Sequence, residues 1–193
     1  MSNKRRALIA IQARSTSSRL PCKIHMRVGD KRMLDHVIDA AKGARKYLGK
    51  FDGNDFEVEV CLVVPVNDPA ATAFVGACPV IQGPEQDVLE RYRLAFLQYQ
   101  PDYIVRLTGD CPLIPPHIIS RLIKIALDLR LDYISNVHED TRMSVDGFDC
   151  EVLSSKAFRW LLQNARTERE KEHVTLAIRE QMPLGLEDRK SVV

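Results

Sequence analysis

No apolar run in this sequence approaches the ~18 residues that a membrane-spanning helix needs, so no membrane partner is expected. The N-terminus also lacks the apolar core of a signal peptide: "ALIAIQA", residues 7–13, is interrupted by Gln12 and followed by Arg14. The five cysteines (Cys22, Cys61, Cys78, Cys111 and Cys150) are odd in number and without close paired spacing. That excludes a disulfide framework and a Cys-rich zinc site, and the expected setting is the reducing cytoplasm. Net charge is nearly absent, +2 over 193 residues with a sequence pI near 8.3. A nucleic-acid binder carries a higher pI and a cationic stripe, so no nucleic-acid partner is expected. Internal repeats and low-complexity stretches are missing too. So is glycine from the loop that follows the first apolar run, "RSTSSRLPCK", residues 14–23.

What is present is ordinary for a globular chain: 45% hydrophobic and 28% charged residues, enough for one domain with its own core. Segments at Ala7–Ala13, Val58–Val64, Pro79–Gln82, Tyr103–Leu107 and Asp132–Val137 read as strands. Most are continuous apolar runs, the pattern of strands buried on both faces. Between them lie helical stripes: Met33, Leu34, Val37, Ile38 and Ala41; Val88, Leu89, Tyr92, Ala95 and Phe96; and Ile118 to Leu129, opened by Pro115-Pro116. Lys46–Glu57, rich in glycine and aspartate, reads as a surface loop. The alternation predicts an α/β fold, a mostly parallel sheet with helices on both faces, and ligands bound beyond the carboxyl ends of its strands.

Three polar constellations fall on that edge. Arg14, Arg19 and Lys23 share one loop, where three cations repel unless an anion lies among them. Arginine forks and a mobile lysine suit phosphate, and a solvated loop with salt-bridge partners is the alternative. "RLTGDCPLI", Arg106–Ile114, ends a strand with Asp110, a carboxylate suited to Mg²⁺ or to capping a turn. "DGFDCEV", residues 146–152, alternates Asp149 and Glu151 along an extended segment, so both carboxylates are expected on one side. They could flank a cation or form a solvated acidic edge. A basic loop plus metal-binding carboxylates is what attack on an α-phosphate needs, since the charge of departing pyrophosphate must be neutralised.

The motifs "AIQARSTSSRLPCK", "LVVPVNDP", "GPEQDVLERY", "VRLTGDCPLI", "DYISNV", "DGFDCEV" and "KEHVTLAIRE" occur in the order of one family. From about Ile9 to Glu180 the chain resembles the spore-coat polysaccharide biosynthesis protein F family, a branch of the sugar-acid cytidylyltransferases (CMP-sugar synthetases). The resemblance implies a Rossmann-like nucleotide-diphospho-sugar transferase fold and transfer of CMP from CTP to a sugar-acid acceptor, with Mg²⁺ bound. It implies that Arg14, Arg19 and Lys23 hold the triphosphate and that Asp110 is the principal metal ligand, with Arg14, Lys23 and Asp110 as the catalytic set. Asp87, Arg91 and Arg106 are implied near the nucleotide. Asp149, Glu151 and His173 are implied on the acceptor side, Asp149 or Glu151 also completing the metal site; for His173 a hydrogen-bonded helix residue is the alternative. A homodimer is implied through an arm that would involve Val137–Trp160.

Two departures qualify the resemblance. The family loop carries glycines where Thr16 and Cys22 stand here, and a side chain there restricts φ and weakens backbone cradling of phosphate. The family also continues into further strands ending in a Thr-x-Asp-x-Pro-x-Asp motif, which this sequence lacks. The expectation is therefore a single domain, 1–193, without those strands. The leading expectation is a cytidylyltransferase. A catalytically impaired relative that binds a nucleotide or nucleotide-sugar is the second. A glycosyltransferase is the third, and "TGDCP" is not its Asp-x-Asp motif.

Overall fold

The computed structural model describes residues 5–17, 19–51, 56–137, 147–181 and 186–190. The chain enters as β1 (Arg5–Gln12), passes through a short 3-10 turn at Lys23–His25, and makes a small hairpin of β2 (Arg27–Val28) and β3 (Lys31–Arg32). Then follow α1 (Met33–Phe51), β4 (Phe56–Pro65), α2 (Ala70–Ala73), β5 (Val80–Gly83), α3 (Val88–Tyr99), β6 (Tyr103–Thr108) and α4 (Pro116–Asp128). The last described elements are β7 (Tyr133–Ser135), β8 (Cys150–Ser154), α5 (Ser155–Asn164), α6 (Glu168–Glu172), α7 (Leu176–Gln181) and β9 (Asp188–Lys190).

Seven described strands form one sheet in the order β5-β4-β1-β6-β8-β7-β9. β1 pairs in parallel with β4 and β6, and β4 with β5; β8 pairs antiparallel with β6 and β7, and β9 parallel with β7. Six strands thus run one way and β8 alone runs against them. Central β1 shows why its run is continuously apolar: Ala7 to Ile11 are each at most 2% exposed. Ala7, Ile9 and Ile11 pack in one core with α1 and α4, while Leu8 and Ala10 pack in a second with α3, α5 and α7. Helices therefore cover both faces, as the alternation predicts.

One reading of the sequence is corrected. Lys46 to Phe51 belong to α1, because the apolar stripe continues through buried Ala44 and Leu48 and keeps the segment against the sheet. Phe56 and Glu57 already belong to β4. Of the expected dimer arm, residues 138–146 lie outside the described residues. Cys150 to Ser154 form β8, buried between β6 and β7, and Ser155 to Trp160 begin α5. At α4 the expectation holds: Pro116 opens the helix after Pro115, whose ψ of 139° keeps it extended. Among the described residues no helix is long and apolar enough to cross a membrane.

Candidate active site

A cleft of about 550 Å³ opens at the carboxyl ends of β1 and β6. Its walls are the loop after β1, the Thr108–Cys111 turn after β6, residues 147 and 149 ahead of β8, the first turns of α3, and Glu172 and His173 at the end of α6. Gly109 brings the first two walls together. Its amide donates to the Gln12 carbonyl at 2.8 Å, and a Cβ there would stand 3.0 Å from Leu34 and 3.1 Å from Ala13. Close approach of two strand ends, not a special φ, is what requires glycine at this point.

The glycine-poor loop is fixed by side chains. Ser15 donates to Asp68 twice, from its amide at 2.7 Å and from Oγ at 2.6 Å, and the same Oγ lies 2.9 Å from His25 Nε2. Asp68 is 6% exposed and also accepts from the Ala70 amide. Thr16 Oγ1 donates to Glu85, and the Cys22 amide donates to the Ser15 carbonyl at 2.8 Å, closing the loop. The two lost glycines have different consequences. Thr16 has no positive φ, so a side chain is accommodated there. Cys22 sits at φ 58°, ψ 20°, the left-handed region a glycine would enter freely. A side-chain-bearing residue held there stores strain.

The loop cations meet carboxylates in the cleft. Lys23 Nζ donates to Asp110, and Arg14 lies 3.5 Å from Glu172, both partners about half exposed. Burial pushes the Asp110 carboxyl up, but the hydrogen bond and charge of Lys23 outweigh it and hold the group below the usual range. Arg19 lines the cleft and makes no ion pair among the described residues. Arg91 is 2% exposed; its Nη1 donates to the Ala13 and Val63 carbonyls at 3.4 Å, and its Nε has no acceptor. Burial lowers its pKa, partly offset by neighbouring Tyr92, Asp68 and Glu85. Cys111 is buried, bonded to Thr108 Oγ1 at 2.9 Å, and burial followed by the charges of Asp149 and Asp110 pushes its thiol up. A thiol held protonated is a poor nucleophile.

Seven of the ten residues singled out in the sequence line this one cleft: Arg14, Arg19, Lys23, Arg91, Asp110, Asp149 and His173. The other three do not. Glu151 is 3% exposed, bonded to Arg106 Nη1 and accepting from Tyr133 Oη at 2.6 Å. Its separation from Asp149 follows from strand direction. β8 enters the sheet at the cleft edge and runs downward, so two residues carry the chain ~6.6 Å below the rim. There Glu151 stands opposite Arg106. Arg106 is accordingly occupied under the cleft. Asp87 caps α3, accepting from the Glu90 amide at 2.8 Å. Among the described residues no three His, Cys, Asp or Glu side chains converge as a metal site, and Glu151 is paired with Arg106 below the cleft that Asp110 and Asp149 line. Mg²⁺ commonly takes one or two carboxylates and completes its shell with water and phosphate oxygens. Asp110 and Asp149 fit that donor set; Glu151 does not.

Sequence reasoning missed Glu172, Gln12 and the Ser15–Asp68–His25 clamp. Gln12 had a signal, as the one polar residue in an apolar run. Glu172, Ser15 and Asp68 lie within the quoted motifs, but the pairing of Glu172 with Arg14 and of Asp68 with Ser15 spans too much sequence to be read locally. Val174, beside His173, has φ 48° although β-branched and buried, a strained turn under the cleft rim.

Comparison with known proteins agrees with this arrangement. A family model described as cytidylyltransferase matches residues 8–184. An uncharacterized protein of Methanocaldococcus jannaschii is 30% identical over 86% of this chain and 63% of its own length. The Bacillus subtilis spore coat polysaccharide biosynthesis protein SpsF is 28% identical over 89% of this chain and 69% of its own length. A 3-deoxy-manno-octulosonate cytidylyltransferase of Anaeromyxobacter is 31% identical over 62% of this chain and 46% of its own length. The chain thus spans between about half and two thirds of the curated relatives it matches. A solved cytidylyltransferase from Leptospira borgpetersenii superposes with a TM-score of 0.77 at 26% identity, covering 97% of this chain and 76% of that one. A match of this extent, over the strands and loops that build the cleft, places the chain in the cytidylyltransferase family.

Proposed function

We propose that the chain transfers CMP from CTP to a hydroxyl of a sugar acid, releasing pyrophosphate. The observation that carries this reading is the convergence of three loop cations with Asp110 and Asp149 in one cleft at the carboxyl edge of the sheet. In the reaction the acceptor oxygen bonds to the α-phosphorus, the bond to the β-phosphate oxygen breaks, and the hydroxyl proton passes to solvent. Arg14, Arg19 and Lys23 bind the triphosphate and neutralise the charge that grows on departing pyrophosphate. Arg14 is available because its half-exposed pair with Glu172 is worth at most about 1 kcal/mol. Asp110 and Asp149 would hold Mg²⁺, which when bound neutralises phosphate charge and aligns the reacting oxygens. Lys23 keeps Asp110 ionised and ready for that role. Asp149 and His173 line the wall offered to the acceptor. A cytoplasmic setting belongs to the proposal, supported by free Cys22, exposed in the loop, and by four further cysteines that are buried and unpaired.

The test is calorimetric titration of CTP with and without Mg²⁺, on the wild type and on Asp110→Asn, followed by pyrophosphate release with 3-deoxy-manno-octulosonate and other sugar acids. Mg²⁺-dependent CTP binding that the variant loses, with turnover lowered at least about 100-fold, is the expected result. Binding of CTP without turnover on any acid would favour the impaired-relative reading. No nucleotide binding at all would sink both.

A further inference from the structure

Beneath the cleft, Gln12 ends β1 on the face covered by α3. Its side-chain oxygen accepts from Arg106 Nε at 3.1 Å and from Tyr92 Oη at 3.4 Å. Arg106 has no acceptor atom, so the amide oxygen must face it and the amide cannot turn over. Arg106 is itself held by Glu151, and Glu151 by Tyr133. The Gln12 –NH₂ is thereby left pointing away from this network, without a partner among the described residues, on a partly exposed residue that lines the cleft. The cation bonded to its carbonyl polarises the amide and strengthens those two donors.

Arg91 lies behind Gln12, buried, with Nη1 donating to the Ala13 carbonyl. Ala13 and Val88 add apolar surface beside it. With the phosphates taken by the loop cations, this α3-side wall offers the Gln12 amide donors beside apolar surface. A pyrimidine edge that suits it has two adjacent acceptors. Cytosine offers O2 and N3 side by side; uracil puts N3–H, a donor, between its oxygens. A donor left facing a donor loses its hydrogen bond in a desolvated site, which is how sites of this kind reject close analogues.

We propose that Gln12 is the residue that selects cytosine over uracil, its amide locked by Arg106 so that it presents only donors to the base. The assignment rests on the cytidylyltransferase reading above. It is tested by calorimetric titration of CTP and UTP into the wild type, Gln12→Met and Gln12→Glu, each checked for native circular dichroism and cooperative melting. The wild type is expected to prefer CTP at least about tenfold. Gln12→Met, which removes the donors, is expected to bring that preference to within about twofold. Gln12→Glu, which turns an acceptor toward the base, is expected to shift it toward UTP. A folded variant that keeps the wild-type preference, or loses both nucleotides equally, overturns the assignment. A wild type that binds neither nucleotide overturns the functional reading itself, and one that binds both alike overturns only the assignment of Gln12.

Discussion

Lys23–Asp110 and Arg106–Glu151 are both cation–carboxylate pairs that join separate elements, yet their surroundings differ. The first sits in the cleft, with side chains 23% and 40% exposed; the second lies under it, at 14% and 4%. Water and ligands reach the first pair, so its partners can be exchanged for phosphate or a cation. The second is sealed by Tyr133, Gln12 and Tyr92, and no solute can replace either partner without leaving a buried charge. Both carboxylates are held below the usual range, by different balances. In Glu151 burial is opposed chiefly by the charge of Arg106 and the Tyr133 hydroxyl; in Asp110 it is opposed by Lys23 alone among the charged groups. The same chemical pair is a binding device where it is wet and a scaffold where it is dry.

The comparison breaks most visibly through single substitutions. Glu151→Gln strands the Arg106 charge and is expected to lower stability by about 3–5 kcal/mol in urea denaturation. The double change Arg106→Met with Glu151→Leu should recover most of that loss, because no unpaired charge remains. Equal losses for single and double variants would show that shape, not charge, is what the site requires.

Asp110→Asn should change stability by no more than about 1 kcal/mol in the same assay, since its pair is partly exposed. The sign of the pH effect follows. The Asp110 carboxyl is held below the usual carboxylate range, so its contribution is fully present above that range and is lost as pH falls through the lower, folded pKa. Stability curves of the wild type and Asp110→Asn should therefore run parallel above the usual carboxylate range and converge as pH falls below it.

The smallest effect sharpens the comparison at the loop that carries Lys23. Cys22→Gly removes left-handed strain of about 1–2 kcal/mol and adds unfolded-state entropy of about 0.5–1 kcal/mol. A net gain of about 0.5–1 kcal/mol in thermal or urea unfolding is expected. A net loss would mean that the thiol makes contacts worth more than the strain.

Much of the site was legible before the fold. Arg14, Arg19, Lys23 and Asp110 each follow a buried strand, and in a parallel sheet such positions must emerge on the carboxyl edge. Glu151 misled because alternation fixes which side a residue faces but not how deep it lies. Depth depended on β8 running against its neighbours, which no local pattern reveals. Lys46–Phe51 misled for a related reason: glycines weaken a helix, but the buried stripe through Ala44 and Leu48 overrode them.

The sequence by itself determined the layer architecture, because period and burial on both faces are local properties of each segment. It also determined the chemical character of the cleft, since the charged residues sit at the ends of those segments. Tertiary structure alone decided which charges face ligand and which face each other. Arg106 and Glu151 are 45 residues apart, Arg14 and Glu172 far more, and only strand order and direction bring each pair together. It likewise decided that Gln12, the one polar residue of the apolar run at residues 7–13, would have its carbonyl held by Arg106 while the residue lines the cleft.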